Sequence, residues 1–261
     1  MKNDFLDEEI INNNILVITL KKPDSGNTLS LEIINYLNKT LDSIAKNEKI
    51  RVLIFSSKGK IFCAGHDLKE IINNNNNNSY YKKLFQKCSE LMIKITSIPQ
   101  PVIAEVDGYA SAAGCQLVAS CDLAISSYDS SFSTPGVKIG LFCSTPMVAL
   151  TRSINPKKSM EMLLTGESIK SEEAVKIGLI NKAVKTENLR EEVLKLANKI
   201  TNLPGGVLEL GKKTFYKQYN LSLKDAYELT SKAMVKNLSK QDSREGIKAF
   251  IEKRNAKWIN D

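Results

Sequence analysis

The chain has one histidine, one tryptophan and no Cys-x-x-Cys pair among its 261 residues. A lone imidazole, His66, with five scattered cysteines (Cys63, Cys88, Cys115, Cys121, Cys143) does not make a zinc site of the usual N/S type. The odd cysteine count argues against a disulfide framework and fits a reducing compartment. Any Ser-His-Asp or Cys-His system would have to use His66. No apolar run approaches about 18 residues, so no membrane-spanning helix is expected. The start, MKNDFLDEEI, mixes acids and bases without an apolar stretch, which fits neither a secretory signal nor an Arg-rich transit peptide. We therefore expect a protein of the cytoplasm or of an organelle matrix, the mitochondrion included, and not a secreted one.

What is present is ordinary for a globular protein. With 42% hydrophobic and 25% charged residues, wholesale disorder is excluded. The length suits one large domain or two small ones. The net charge of +8 comes mainly from lysine, which, like the abundant asparagine and isoleucine, has AT-rich codons. Coding bias therefore accounts for much of it; the other reading is an anionic ligand or nucleic acid. No aromatic-basic module accompanies the charge, so nucleic-acid binding has little support.

Apolar runs at 15–20 (ILVITL), 52–55 (VLIF), 102–106 (VIAEV) and 121–126 (CDLAIS) read as strands. Between the first two, Thr28 reads as an N-cap. Leu29, Ile33, Ile34, Leu37, Leu41 and Ile44 then recur at helical spacing. This is a βαβ unit. The asparagine run at 73–78 reads as a mobile surface loop, and an amphipathic helix resumes over 80–96. After residue 151 only 181–184 suggests a strand; helical patterns fill the rest.

Two loops could carry chemistry. Phe62-Cys63-Ala64-Gly65-His66-Asp67-Leu68 and Ser111-Ala112-Ala113-Gly114-Cys115 each follow a strand and open a helix. Small residues let backbone approach a ligand, and a first helical turn carries N–H groups without internal partners. Two such turns from neighbouring strands can aim two amides at one oxygen, as an oxyanion hole does. The alternative is that the small residues only permit tight helix–strand packing. Neither loop has the G-x-x-x-x-G-K-[ST] or G-x-G-x-x-G phosphate pattern.

These loops, with PVIAEVDGYASAAGCQLVASCDLAI, LTGESIKSEEAVKIGLINKAV and EGIKAFIEKR in order, resemble the crotonase (enoyl-CoA hydratase/isomerase) superfamily from Ile15 to Trp258. The resemblance implies an α/β, ClpP-like crotonase fold: a spiral of β-β-α units over 1–203 and a helical trimerisation region over 204–261. It implies binding of acyl-CoA thioesters, coenzyme A being part of the substrate, with no permanent cofactor or metal, in a homotrimer or hexamer. The oxyanion donors would be the backbone N–H groups of His66 and Ala113. Ala64 would contact the adenine through its main chain, and Phe250 and Lys253 would meet the CoA. The lysine often found after the proline of the first turn is Asp24 here, with Lys22 nearby.

The departures bear on mechanism. Where hydratases carry two glutamates, this chain has Gln116 and Gly136. Glutamine can bond a water but cannot take its proton, and glycine offers neither function. Standard hydration and one-glutamate isomerisation are both in doubt. Candidate replacements are the His66 ring, Glu105 within VIAEV, and Cys143, Ser144 and Thr145 of GLFCSTP. Each has a plainer reading: packing for His66, an ion pair for Glu105, a lining role for Cys143. Asp67 reads as a helix-start carboxylate. The leading expectation is an acyl-CoA-binding protein of enoyl-CoA hydratase/isomerase type with atypical activity. The alternatives are a non-catalytic acyl-CoA binder and an acyl-CoA hydrolase or decarboxylase.

Overall fold

The computed structural model describes residues 4–259. A hairpin of β1 (Leu6–Ile11) and β2 (Ile15–Leu20) leads into helix α1 (Leu31–Ile44). A β-β-α unit follows: β3 (Val52–Ser57), β4 (Ile61–Cys63) and α2 (Leu68–Asn73), extended by α3 (Asn78–Ser97). The next is β5 (Val102–Val106), β6 (Tyr109–Ser111) and α4 (Ala113–Ser120). Then come β7 (Leu123–Ser127), β8 (Ser131–Ser133), a 3-10 turn at Pro135–Ile139, α5 (Pro146–Ser153) and α6 (Pro156–Thr165). The chain continues through β9 (Ile169–Lys170), α7 (Ser171–Lys176), β10 (Lys182–Val184) and α8 (Leu189–Thr201). It ends in α9 (Gly205–Gln218), α10 (Leu223–Leu238) and α11 (Gln241–Ile251).

Each unit lays its first strand in a sheet ordered β1-β2-β3-β5-β7-β10 and its second in a sheet ordered β4-β6-β8-β9. Neighbouring strands run parallel except β1 with β2 and β8 with β9. This one-strand step per unit is the spiral that the resemblance implies. β2, β3 and β5 are mostly apolar because both faces are covered, with Thr19, Ser56, Ser57 and Glu105 as the polar members. Leu16, Ile18, Leu53, Phe55 and Ala104 share a core with α1 and α3, while Val17, Val52, Ile54 and Ile103 pack with Val193 and Ala197 of α8.

Two local details differ from the sequence reading. The N-cap of α1 is Ser30, not Thr28; its side chain accepts a hydrogen bond from Ile33 N at 3.2 Å. The asparagine run is a capped turn rather than slack chain. Asn74 Nδ2 donates to Glu70 O at 2.9 Å, and Asn77 Oδ1 accepts from Tyr80 N at 3.0 Å. Short polar side chains compete well for free backbone groups at helix ends.

One buried polar knot ties α9 to the core. Lys212 Nζ donates to Ile95 O and Gln100 O, each at 2.8 Å, and to Asp122 at 2.6 Å. Asp122 also accepts from Val102 N at 2.7 Å and Tyr216 OH at 2.9 Å. Burial lowers the Lys212 pKa, with Asp122 opposing it. Farther along, α10 and α11 leave Leu223, Val235, Phe250 and Ile251 exposed.

Candidate functional site

The first loop leaves β4 at Cys63 and reaches α2 at Leu68. Ala64 N donates to Gly26 O at 2.9 Å, which leaves its carbonyl as the main-chain acceptor it can offer. Gly65 has φ +98°, a conformation L side chains rarely adopt, and its carbonyl accepts from Leu29 N at 2.7 Å. Asp67 caps α2, accepting from Lys69 N at 2.9 Å and Glu70 N at 3.1 Å, as its helix-start reading anticipates. The second loop turns at Ala112, with φ 49° and ψ −115°, and starts α4 at Ala113. Such a non-glycine backbone costs on the order of 1–3 kcal/mol, and such outliers cluster at functional sites. Nothing in the alanine-rich sequence signals it.

The two loops touch. A Cβ on Gly65 would lie 3.0 Å from Ala112 Cβ and 3.2 Å from Ala113 N. A Cβ on Gly114 would lie 2.1 Å from Cys63 O, so α4 sits directly on the backbone of β4. Among the described residues, neither His66 N–H nor Ala113 N–H donates a hydrogen bond. Two free amides at two helix starts thus come from loops in van der Waals contact. The glycines serve the packing and the site alike.

The His66 ring meets Phe85 edge-on, with centroids 5.2 Å apart. Its Nε2 is shut off from solvent without a partner, and burial pushes its pKa down to about 4. The imidazole is therefore neutral at pH 7 and is no proton donor in the imidazolium sense. Gln116 is 3% exposed, and its Oε1 has no partner. Thr134 Oγ1, just before Pro135-Gly136, is also buried and unpartnered; the sequence reading did not single it out. At Gly136 there is no room for a side chain. A Cβ there would lie 2.7 Å from Leu141 O and 2.9 Å from Cys143 Sγ. Cys143 thus fills the space, and burial raises its thiol pKa, which disfavours a thiolate.

Glu105 is 7% exposed and pairs with Arg190 Nε at 3.1 Å. Burial pushes its carboxyl up to about 7 against the pull of Arg190, with Asp107 adding to the rise. It alternates with Ala104 and Val106, which belong to the core containing Ala113 and Cys115, so it takes the opposite face of β5. Lys22 Nζ stacks on Phe5, 5.0 Å from the ring centroid. Phe250 is 85% exposed on α11, and Lys253 follows that helix with φ 53°. Among the described residues, α11 packs on α10. No group of three or more His, Cys, Asp or Glu among the described residues is placed to hold a metal ion.

The sequence profile of the family described as Enoyl-CoA hydratase/isomerase matches residues 10–261. The chain is 49% identical over 241 residues to mouse "Enoyl-CoA hydratase domain-containing protein 3, mitochondrial", covering 92% of this chain and 80% of that one. It is 31% identical over 246 residues to the Dictyostelium discoideum "Probable enoyl-CoA hydratase, mitochondrial", covering 94% and 87% of the two. The crystal structure of human enoyl Coenzyme A hydratase domain-containing protein 3 superposes with a TM-score of 0.93 at 46% identity, covering 97% of this chain and 100% of that one. An enoyl-CoA hydratase from Mycobacterium smegmatis superposes with a TM-score of 0.95 at 38% identity, covering 98% and 99%.

Proposed function

This chain belongs to the enoyl-CoA hydratase/isomerase family and has the crotonase fold, and from that premise we propose that it binds acyl-CoA thioesters and polarises their carbonyl between the amides of His66 and Ala113. The observation that supports the reading is the closeness of the two loops: a Cβ added at Gly65 would come within 3.2 Å of Ala113 N, so only glycine leaves room there. It brings two amides free of internal partners, from successive β-β-α units, to one place. A thioester oxygen between them would gain negative charge as an enolate or tetrahedral adduct forms. Preorganised N–H groups stabilise that charge, each donor contributing about 2.7–4 kcal/mol in comparable sites.

The acid–base side of the reaction is reduced in this chain. Gln116 can hold a water without deprotonating it, Gly136 is packed over by Cys143, and the His66 ring is neutral and apolar in its surroundings. The nominal class is enoyl-CoA hydratase or isomerase, with hydration slow for want of two carboxylates. Hydrolysis or decarboxylation of an acyl-CoA would use the amides without either glutamate. The space filled at Gly136 favours a second reading, a non-catalytic acyl-CoA binder. The adenine would rest on Ala64, with Phe250, exposed on α11, and Lys253 completing the CoA site. The exposed apolar residues of the helical region from residue 204 support assembly as a trimer or hexamer. The relatives' mitochondrial names support a mitochondrial matrix location.

The test is titration with crotonyl-CoA and longer enoyl-CoAs, following the conjugated thioester absorbance. Binding between the amides shifts that absorbance to the red, because the polarised carbonyl extends the conjugation. Slow decay would mark hydration, and a stable shift would mark binding without turnover. Absence of any shift and of any binding heat defeats the proposal.

A further inference from the structure

Helix α11 ends in a turn that suits glycine. Arg254 N donates to Ala249 O at 3.0 Å and Lys253 N to Phe250 O at 3.2 Å, the paired bonds of a Schellman stop. The residue at its left-handed position is Lys253, with φ 53°. Most of the other described residues with positive φ that are not glycine are asparagines, which tolerate it. The two that are not asparagine are Ala112, in the second candidate loop, and Lys253. A lysine in that backbone is strained, and such strain persists only where the surroundings over-determine it.

The surroundings are a strap. After Lys253 the chain runs back along α11. Arg254 Nη1 and Nη2 fork onto Glu245 at 2.6 and 2.9 Å, and its Nε donates to Glu252 at 2.7 Å. Lys257 N donates to the same Glu245 carboxylate at 2.9 Å. Ile259 N donates at 2.7 Å to Asp242, which is buried in the first turn of α11. Between these two bonds the Trp258 ring lies over Gly246, where a Cβ would come within 3.1 Å of it. The fork and the Lys257 amide hold the Glu245 carboxyl down to about 2, so it is ionised at neutral pH. Lys253 itself is exposed and makes no ion pair among the described residues. Glycine at 253 would serve the fold better. What the lysine adds is an ammonium that nothing within the chain uses. Resting on the acyl-CoA reading above, in which Lys253 meets the CoA, we propose that Arg254 and Glu245 are positioning residues: their fork locks the backbone of Lys253 and so presents its ammonium to an anionic group of the ligand.

The experiment is isothermal titration of the full chain with crotonyl-CoA at low and high salt, on protein with wild-type circular dichroism. Lys253→Met should weaken binding about tenfold at low salt, the loss of one charge-assisted hydrogen bond, and flatten the salt dependence. Arg254→Gln, at an exposed position, should weaken it severalfold in the same way. Combined with Lys253→Met it should add nothing, because it acts only through the lysine. Glu245→Gln attacks the fork from the other side and should repeat the pattern. Lys253→Gly should raise the melting temperature while weakening crotonyl-CoA as Lys253→Met does. Losses that add in the double variant, or fork variants that bind as the wild type does, overturn the positioning role. A melting temperature lowered by Lys253→Gly overturns the strain. Binding that ignores Lys253→Met overturns this proposal alone, whereas failure of the wild type to bind crotonyl-CoA overturns the acyl-CoA reading beneath it.

Discussion

Gly114→Ala strikes the contact that holds the two loops together. The new Cβ would sit 2.1 Å from Cys63 O and 2.8 Å from Cys63 C, against 3.4 Å or more for an ordinary contact. Both partners are backbone, so no side-chain rotation relieves the overlap. The start of α4 must move away from β4 by more than 1 Å, and the Ala113 amide moves with it. A misplacement of that size costs about a hundredfold in an oriented reaction. Complete loss of one donor to an oxyanion costs about 2.7–4 kcal/mol. Overpacking should also lower stability by about 1–3 kcal/mol, which a domain of this size can survive. The assay is the red shift of a bound enoyl-CoA, measured on protein whose circular dichroism matches wild type. Gly211→Ala serves as the partner variant, because its Cβ meets nothing within 4 Å on exposed α9. It should keep the full shift and gain about 0.5–1 kcal/mol in stability. A folded Gly114→Ala protein with an undiminished shift would refute the placement of the carbonyl between these loops.

Other perturbations should read out as follows. With the His66 pKa near 4 in the fold and near 6.5 unfolded, the unfolded chain takes up the proton first as pH falls. Its contribution is whole above pH 6.5 and fades towards pH 4, by up to about 3 kcal/mol. Urea unfolding at pH 7 and 4.5 should show a loss that His66→Leu lacks. Lys212→Met should cost about 3 kcal/mol in the same assay, since it strands Asp122, although Tyr216 and Val102 N still bond it. Gln116→Glu should raise crotonyl-CoA hydration, followed by absorbance decay. Adding Gly136→Glu should lower the melting temperature rather than complete the activity, because Leu141 O and Cys143 Sγ stand in the way; a stable, fast double variant would contradict this packing.

The long parallel strands were legible because burial on both faces makes most of their residues apolar, Glu105 of β5 being an exception. The three-residue strands β4, β6 and β8 are too short for any period, and β1, LDEEII, hides a sheet edge behind acids. The candidate loops could be found from their small residues, since both tight packing and ligand approach demand them. What stayed hidden depends on distant partners. Arg190 meets Glu105 across 85 positions. Cys143 fills the space over Gly136 only because the chain folds back after the 3-10 turn. The strained turn at Ala112 is fixed by its surroundings, Ser133 O accepting its N–H at 3.0 Å, and not by its own side chain.

The lysine that anchors α9 also bears on how freely the chamber of about 660 Å³ between α3, α4, α5 and α9 can be reshaped. Phe215 and Tyr219 border the chamber, yet the helix carrying them is moored by an ammonium gripping two carbonyls and a carboxylate. Bulk can therefore be added to or pared from those aromatics while the mooring stays intact. Substitution of either aromatic should resize the chamber while the α9 anchor stays in place.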